Sequence, residues 1–97
     1  MSIAVRASGY INIRPDVDHQ KSWEMIRLIN NAYRDIDVEG YRQAVIKIDI
    51  FGQNEIDYKP LEKILKSNKE IIEEEVVINE WVETDGGLYF DPDEDED

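Results

Sequence analysis

The sequence predicts an α+β fold, a two-layer sandwich, and three observations predict it. Residues 3–13 and 44–51 alternate apolar and polar side chains with the period of two that marks a half-buried strand. Residues 18–35 and 57–67 instead carry their apolar residues at helical spacing. A third alternating stretch, residues 71–82, is followed by a tight-turn signal and a short apolar run, which reads as a closing hairpin. The predicted order is β-α-β-α-β-β, a mainly antiparallel sheet of about four strands with both helices on one face.

Each element has its own justification. In the first strand Ile3, Val5, Ala7, Ile11 and Ile13 share one parity, while Arg6, Ser8, Tyr10 and Asn12 share the other, with a bend expected at Ser8-Gly9. In the first helix Met25, Leu28, Ile29, Ala32 and Ile36 form a core-facing stripe, widened by Trp23, Ile26 and Tyr33. Asp16 or Asp18 is placed to cap its first turn. The segment DIDVEGY is expected to be a loop, punctuated by Gly40. In the second strand Ala44, Ile46, Ile48 and Ile50 face the core; Val45, Lys47, Asp49 and Phe51 face away. The second helix buries Leu61, Ile64 and Leu65, carries Pro60 in its first turn and stops near Asn68. In the third strand Val76, Ile78 and Val82 share a face interrupted by Glu80, a place for a bulge, and Val77, Asn79 and Trp81 share the other. Asp85-Gly86 turns the chain into Leu88-Tyr89-Phe90. Residues 1–90 make a single domain and residues 91–97 an acidic C-terminal tail.

Charge is the informative total. The 97 residues carry a net charge of −12, with residues 1–69 holding 11 basic and 10 acidic side chains and residues 70–97 holding 13 acidic and no basic ones. A field of that sign repels nucleic acid and anionic membrane and accelerates encounter with basic surfaces. No apolar run approaches the roughly 20 residues that span a bilayer. The start lacks a basic region followed by a long apolar stretch, so a cytoplasmic location is expected.

Catalysis is poorly provided for. There is no Cys, and the single His19 stands beside Asp18 at a helix start, where a solvated surface role is expected. No serine sits in a G-x-S-x-G turn, no Gly-rich phosphate loop exists, and Gly86-Gly87 belongs to the hairpin. Asp91, Asp93 and Asp95 alternate as in a calcium loop. However, the sixth position is Glu96 rather than Gly, so no metal site is expected. No cofactor is expected and the chain is not read as an enzyme.

Two modes of partner binding remain. Carboxylates two residues apart on a strand repeat about every 6.6–6.8 Å, close to the phosphate pitch of a nucleic-acid strand. Glu73 and Glu75, and separately Glu74 and Glu80, would supply such rows. Glu83, Asp85, Asp91, Asp93, Glu94 and Asp95 would extend them, for a partner that grips phosphate with Lys and Arg. In size, acidity and lack of catalytic residues the chain resembles small phage-encoded DNA-mimic inhibitors of the anti-CRISPR, anti-restriction and uracil-DNA glycosylase inhibitor type. The resemblance implies a basic nucleic-acid-binding protein or nuclease complex as partner, inside the host cell. The alternative is a non-catalytic interaction module, an immunity-type protein for example, that binds through Tyr10, Phe51, Trp81 and Tyr89 on an open sheet face. A core position for Trp81, reached through the bulge, is the competing structural reading.

Overall fold

The computed structural model describes residues 3–41, 44–81 and 87–93. The first strand, β1 (Ala4–Asn12), turns Val5, Ala7 and Ile11 inward, and Ile13 just beyond it is also buried. Helix α1 (His19–Ala32) begins where the Asp18 carboxylate accepts a hydrogen bond from the Gln20 amide at 3.0 Å, satisfying one of the free N–H groups of the first turn. Its buried stripe is Ser22, Met25 and Ile29, flanked by half-buried Ile26 and Tyr33. Leu28 and Trp23, expected in the core, are exposed. At about 100° per residue, the arc centred near Ile29 leaves Leu28 a full residue's rotation outside it.

The expected loop at residues 35–41 is instead a strand, β2 (Ile36–Tyr41), hydrogen-bonded to β3 (Val45–Gln53). Ile36 and Val38 lie opposite Ile50 and Ile48 and share their core face. The sheet therefore has five strands rather than four. Helix α2 (Lys59–Ser67) buries Leu61 and Leu65, and the Asp57 carboxylate accepts from the Lys59 amide at its start. Tyr33 joins the two helices: its hydroxyl donates to the Asp57 carbonyl at 2.8 Å and accepts from the Leu61 amide at 3.2 Å. Asn68 closes the helix, its side-chain amide donating to the Ile64 carbonyl. A single 3-10 turn (Lys69–Ile71) leads towards β4 (Val76–Glu80) and β5 (Gly87–Phe90). Val82 and the Asp85-Gly86 turn lie outside the described residues.

Sheet order is β2-β3-β1-β4-β5, with every neighbouring pair antiparallel. Without β5 this is two interleaved β-α-β units, the split arrangement of a ferredoxin-like sandwich. β3 lies between β1 and β2, and β1 lies between β3 and β4. The core is one cluster between sheet and helices, dominated by Ile11, Ile46, Ile48, Ile50, Ile72 and Ile78. β1 and β4 run in register from Ala7 opposite Glu80 to Tyr10 opposite Val77, whereas Ile13 bridges Ile72. Three steps along β1 thus match five on its neighbour; the Glu73 amide still donates to the Asn12 carbonyl at 2.9 Å, and the chain bulges at Glu74 and Glu75.

Packing continues past Phe90. Asp91 is half-buried and Pro92 buried, so a cut after Asp93 is the truncation that spares the fold. Removal of residues 94–97 is expected to leave the thermal midpoint within about 2 °C of the full chain, because it keeps every described core residue in place. Differential scanning calorimetry checks this. No helix among the described residues is long and apolar enough to cross a membrane.

Candidate functional site: the open face of the sheet

Because side chains alternate across a strand, burying one parity under the helices commits the other to the opposite face. The register then fixes which side chains are neighbours there. Lys47, Tyr10, Val77 and Tyr89 stand in one row across β3, β1, β4 and β5. Asp37, Asp49, Ser8 and Asn79 stand in the next. Arg6 lies opposite Phe51, and the Trp81 amide donates to the Arg6 carbonyl at 2.7 Å, holding the indole at the same end. Trp81 is 70% exposed, so it belongs to the open face and not to the core. Of the eight large hydrophobic residues exposed among those described, five (Tyr10, Phe51, Val77, Trp81 and Tyr89) lie on this face. That concentration separates a patch from the scattered apolar exposure of any surface.

Beneath the aromatics sits a polar centre. Arg6, Ser8, Tyr10, Lys47, Asp49, Val77, Asn79 and Trp81 border a shallow depression of ≈ 300 Å³. Asp49 at its floor is only 7% exposed. Its Oδ1 accepts from Arg6 at 3.2 Å (Nε) and 2.9 Å (Nη2) and from the Ser8 hydroxyl, and Lys47 Nζ lies 3.9 Å from Oδ2. The Arg6 guanidinium also lies over the Phe51 ring, 5.8 Å from its centroid. Burial by itself would raise the Asp49 pKa. The hydrogen bonds from Ser8 and Arg6 and the charges of Arg6 and Lys47 outweigh it and hold the carboxyl below its ordinary value. With those contacts the carboxylate is a structural acceptor that holds the Arg6 and Ser8 side chains in place. Asp49 was not among the expected site residues. Its signal in the sequence was an aspartate in mid-strand, where that residue type is disfavoured unless something binds it.

A carboxyl whose pKa is depressed on folding stabilises the fold fully above its unfolded value, about 3.9, and loses that contribution as pH falls through the folded value. The thermal midpoint is therefore expected to fall below about pH 4, and Asp49→Asn to flatten that part of the profile. An Asp49→Asn profile as steep as the native one would show that other carboxylates carry the acid sensitivity. At neutral pH, Asp49→Ala is expected to cost about 1–3 kcal/mol in urea unfolding, because it strips partners from Ser8 and Arg6.

The acidic residues expected to act together are divided. Glu73, Glu74 and Glu75 lie in the bulged segment before β4, not on a strand, so the regular carboxylate spacing expected of them is absent. They are exposed and make no ion pair with a described residue; Glu74 accepts from the Asn12 side-chain amide at 3.3 Å. Val76 pairs with Phe90, so residues 73–75 and 91–93 emerge at the same end of the β4–β5 hairpin. Asp93 there lies 3.9 Å from Arg14. Glu80 is at the other end of β4 and on the helix side, where its carboxylate accepts from the Tyr58 hydroxyl at 2.5 Å. Burial and the neighbouring Glu80 carboxylate both raise the Tyr58 pKa, so the phenol keeps its proton. Tyr58→Phe is expected to cost about 1–2 kcal/mol in urea unfolding, since it removes one hydrogen bond to a half-buried carboxylate. Glu83, Asp85, Glu94 and Asp95 lie outside the described residues. Among the described residues no three acidic or imidazole groups converge as metal ligands would.

The class defined by these features is an all-antiparallel α+β sandwich with one face of its sheet uncovered and aromatic. Compared with known proteins, the chain matches no family model, no curated protein and no solved structure.

Proposed function

We propose that this protein is a non-catalytic binding module that docks a basic protein partner on the open face of its sheet. The observation that carries this reading is the gathering of Tyr10, Phe51, Val77, Trp81 and Tyr89 on one uncovered face. Aromatic side chains on a rigid sheet lose little freedom on docking and supply most of the energy at protein interfaces. The Asp49 network supports the reading too, because it holds Arg6 in place before a partner arrives. Charge supplies the partner's chemistry. Among the described residues the face itself carries Arg6 and Lys47 against Asp37, Glu39 and Asp49, close to balance, while residues 73–75 and 91–93 put an acidic rim at one end of it. Such a rim steers a basic protein in and repels nucleic acid.

A narrower second reading makes the partner a DNA-binding or nuclease protein and the chain an inhibitor that mimics nucleic acid. It is favoured by the exposed run of Glu73, Glu74 and Glu75, none of which makes an ion pair with a described residue, at the same end of the hairpin as Asp93. The two readings differ in what competes. Immobilised protein is used to capture a partner at low salt, and duplex DNA is then added. Retention of the partner together with its loss in Trp81→Ala supports docking on the aromatic face. Displacement by DNA together with indifference to Trp81→Ala supports mimicry and overturns the first reading. Retention of a second copy of this chain alone would make the face a self-association surface and overturn both.

A further inference from the structure

A separate opening lies on the helix-covered side of the sheet, where the first half of α1 crosses the β2–β3 end. Ile13, Ser22, Ile26, Val45 and Ile46 wall a cavity of ≈ 290 Å³, with exposed His19 and Trp23 on its solvent side. Gly40 of β2 completes the lining; a Cβ there would come within 3.3 Å of Ile26 Cδ1, tighter than ordinary contact, so the absence of a side chain lets Ile26 pack close to β2. Ser22 is the unusual member. It is nine-tenths buried, and its hydroxyl has no hydrogen-bond partner among the described residues. A buried hydroxyl is nearly always satisfied, and a serine within a helix commonly bonds the carbonyl one turn back. This one does neither, although alanine at the same position would cost the helix less.

We infer that this cavity binds a small neutral aromatic molecule of one or two rings carrying one hydrogen-bonding group, and that the Ser22 hydroxyl engages that group. The size fits, because an apolar cavity of about 150 Å³ already holds a benzene ring. Among the described lining residues only His19, at the mouth, carries an ionisable group, and the others could not offset the cost of burying a charge, which favours a neutral ligand. Trp23 and Ile26 supply the flanking apolar contact along α1.

Indole is a suitable probe, since its single N–H can donate to Ser22 Oγ while its rings contact the isoleucines. In a titration of the isotope-labelled full chain followed by NMR, indole is expected to produce saturable amide shifts at Ser22, Ile26, Val45 and Ile46. Shifts at Tyr10 and Val77 on the open face are not expected. Indene keeps the bicyclic shape without the N–H and is expected to bind at least about threefold more weakly. Ser22→Ala is expected to erase that preference and, without ligand, to raise the thermal midpoint by several degrees, because an unsatisfied buried hydroxyl is removed. Non-saturating shifts, shifts confined to the open face, or an indole preference that survives Ser22→Ala would each overturn the assignment. If Ser22→Ala yields no folded protein, the shift map and the indole–indene comparison on the native chain decide the matter.

Discussion

Trp81→Ala is expected to weaken partner binding by roughly 30-fold or more, and Tyr10→Ala by about 10-fold, with no measurable loss of stability in either variant. Both side chains are exposed in the free protein, so truncation leaves no cavity in the core. On docking, the indole would bury most of its surface at the end of the face, where Arg6 and Phe51 already stack. The contrast is with the acidic rim. Reversing Glu73, Glu74 and Glu75 to lysine is expected to slow association and to cost about 10-fold at low salt. The cost should shrink as added salt shortens the screening length. Surface plasmon resonance at two ionic strengths separates the two: an aromatic-centred interface loses affinity through faster dissociation in Trp81→Ala. If instead the charge reversal eliminates binding while Trp81→Ala changes it less than threefold, the open face is not the docking surface and the mimic reading takes its place.

Gly9→Ala is expected to lower the thermal midpoint by about 12 °C or more, and Gly9→Val to prevent cooperative folding altogether. Gly9 is a buried residue near the middle of β1, the central strand of the sheet, and pairs with Ile48 on one side and Ile78 on the other. A Cβ added there would stand 2.4 Å from Ile78 Cδ1 and 2.4 Å from the Val77 carbonyl oxygen. The side-chain atom can swing away at the cost of a poorer rotamer. The carbonyl cannot, because it belongs to the backbone of β4 and moves only if the β1–β4 ladder opens. Overpacking of this kind costs about 3 kcal/mol at its upper range, and each kcal/mol shifts the midpoint of a domain this size by about 4–8 °C. Gly87, with φ +147° and an added Cβ only 2.3 Å from the Ile78 carbonyl, guards the other side of β4 in the same way. A Gly9→Ala midpoint within about 3 °C of the native value would mean that β4 yields locally, and that the hairpin is less tightly bound to the sheet than its register implies.

How far the sequence reads depends on whether a feature is local. The period of two in β1 and β3 assigned Val5, Ala7, Ile11, Ile46, Ile48 and Ile50 to the core. It therefore also assigned Arg6, Tyr10, Lys47 and Phe51 to the other face, since a one-residue slip would turn every side chain over. The Asp18 cap, Pro60 in the first turn of α2 and Asn68 at its end were equally legible, because each acts within one helical turn. Strand β2 was not. Ile36 and Val38 alternate over too short a span to outweigh Gly40, and they become a strand only because β3 supplies hydrogen bonds across the pair. Leu28 could not be told from Ile29 by period alone, as the sheet decides which side of an apolar stripe it covers.

The site divides along the same line. By itself the sequence determined which parity would be aromatic and that the negative charge would gather after residue 69. Only the tertiary structure put Trp81 on the open face and buried Asp49 between Arg6, Ser8 and Lys47. It likewise turned Glu80 to the helix side under Tyr58 and left Glu74 and Glu75 off the ladder. The physical reason is that side-chain direction is a property of one strand, whereas burial and charge pairing belong to the strands that meet. Those meetings are set by register between segments some 40 residues apart along the chain, as when Ser8 comes to lie opposite Asp49.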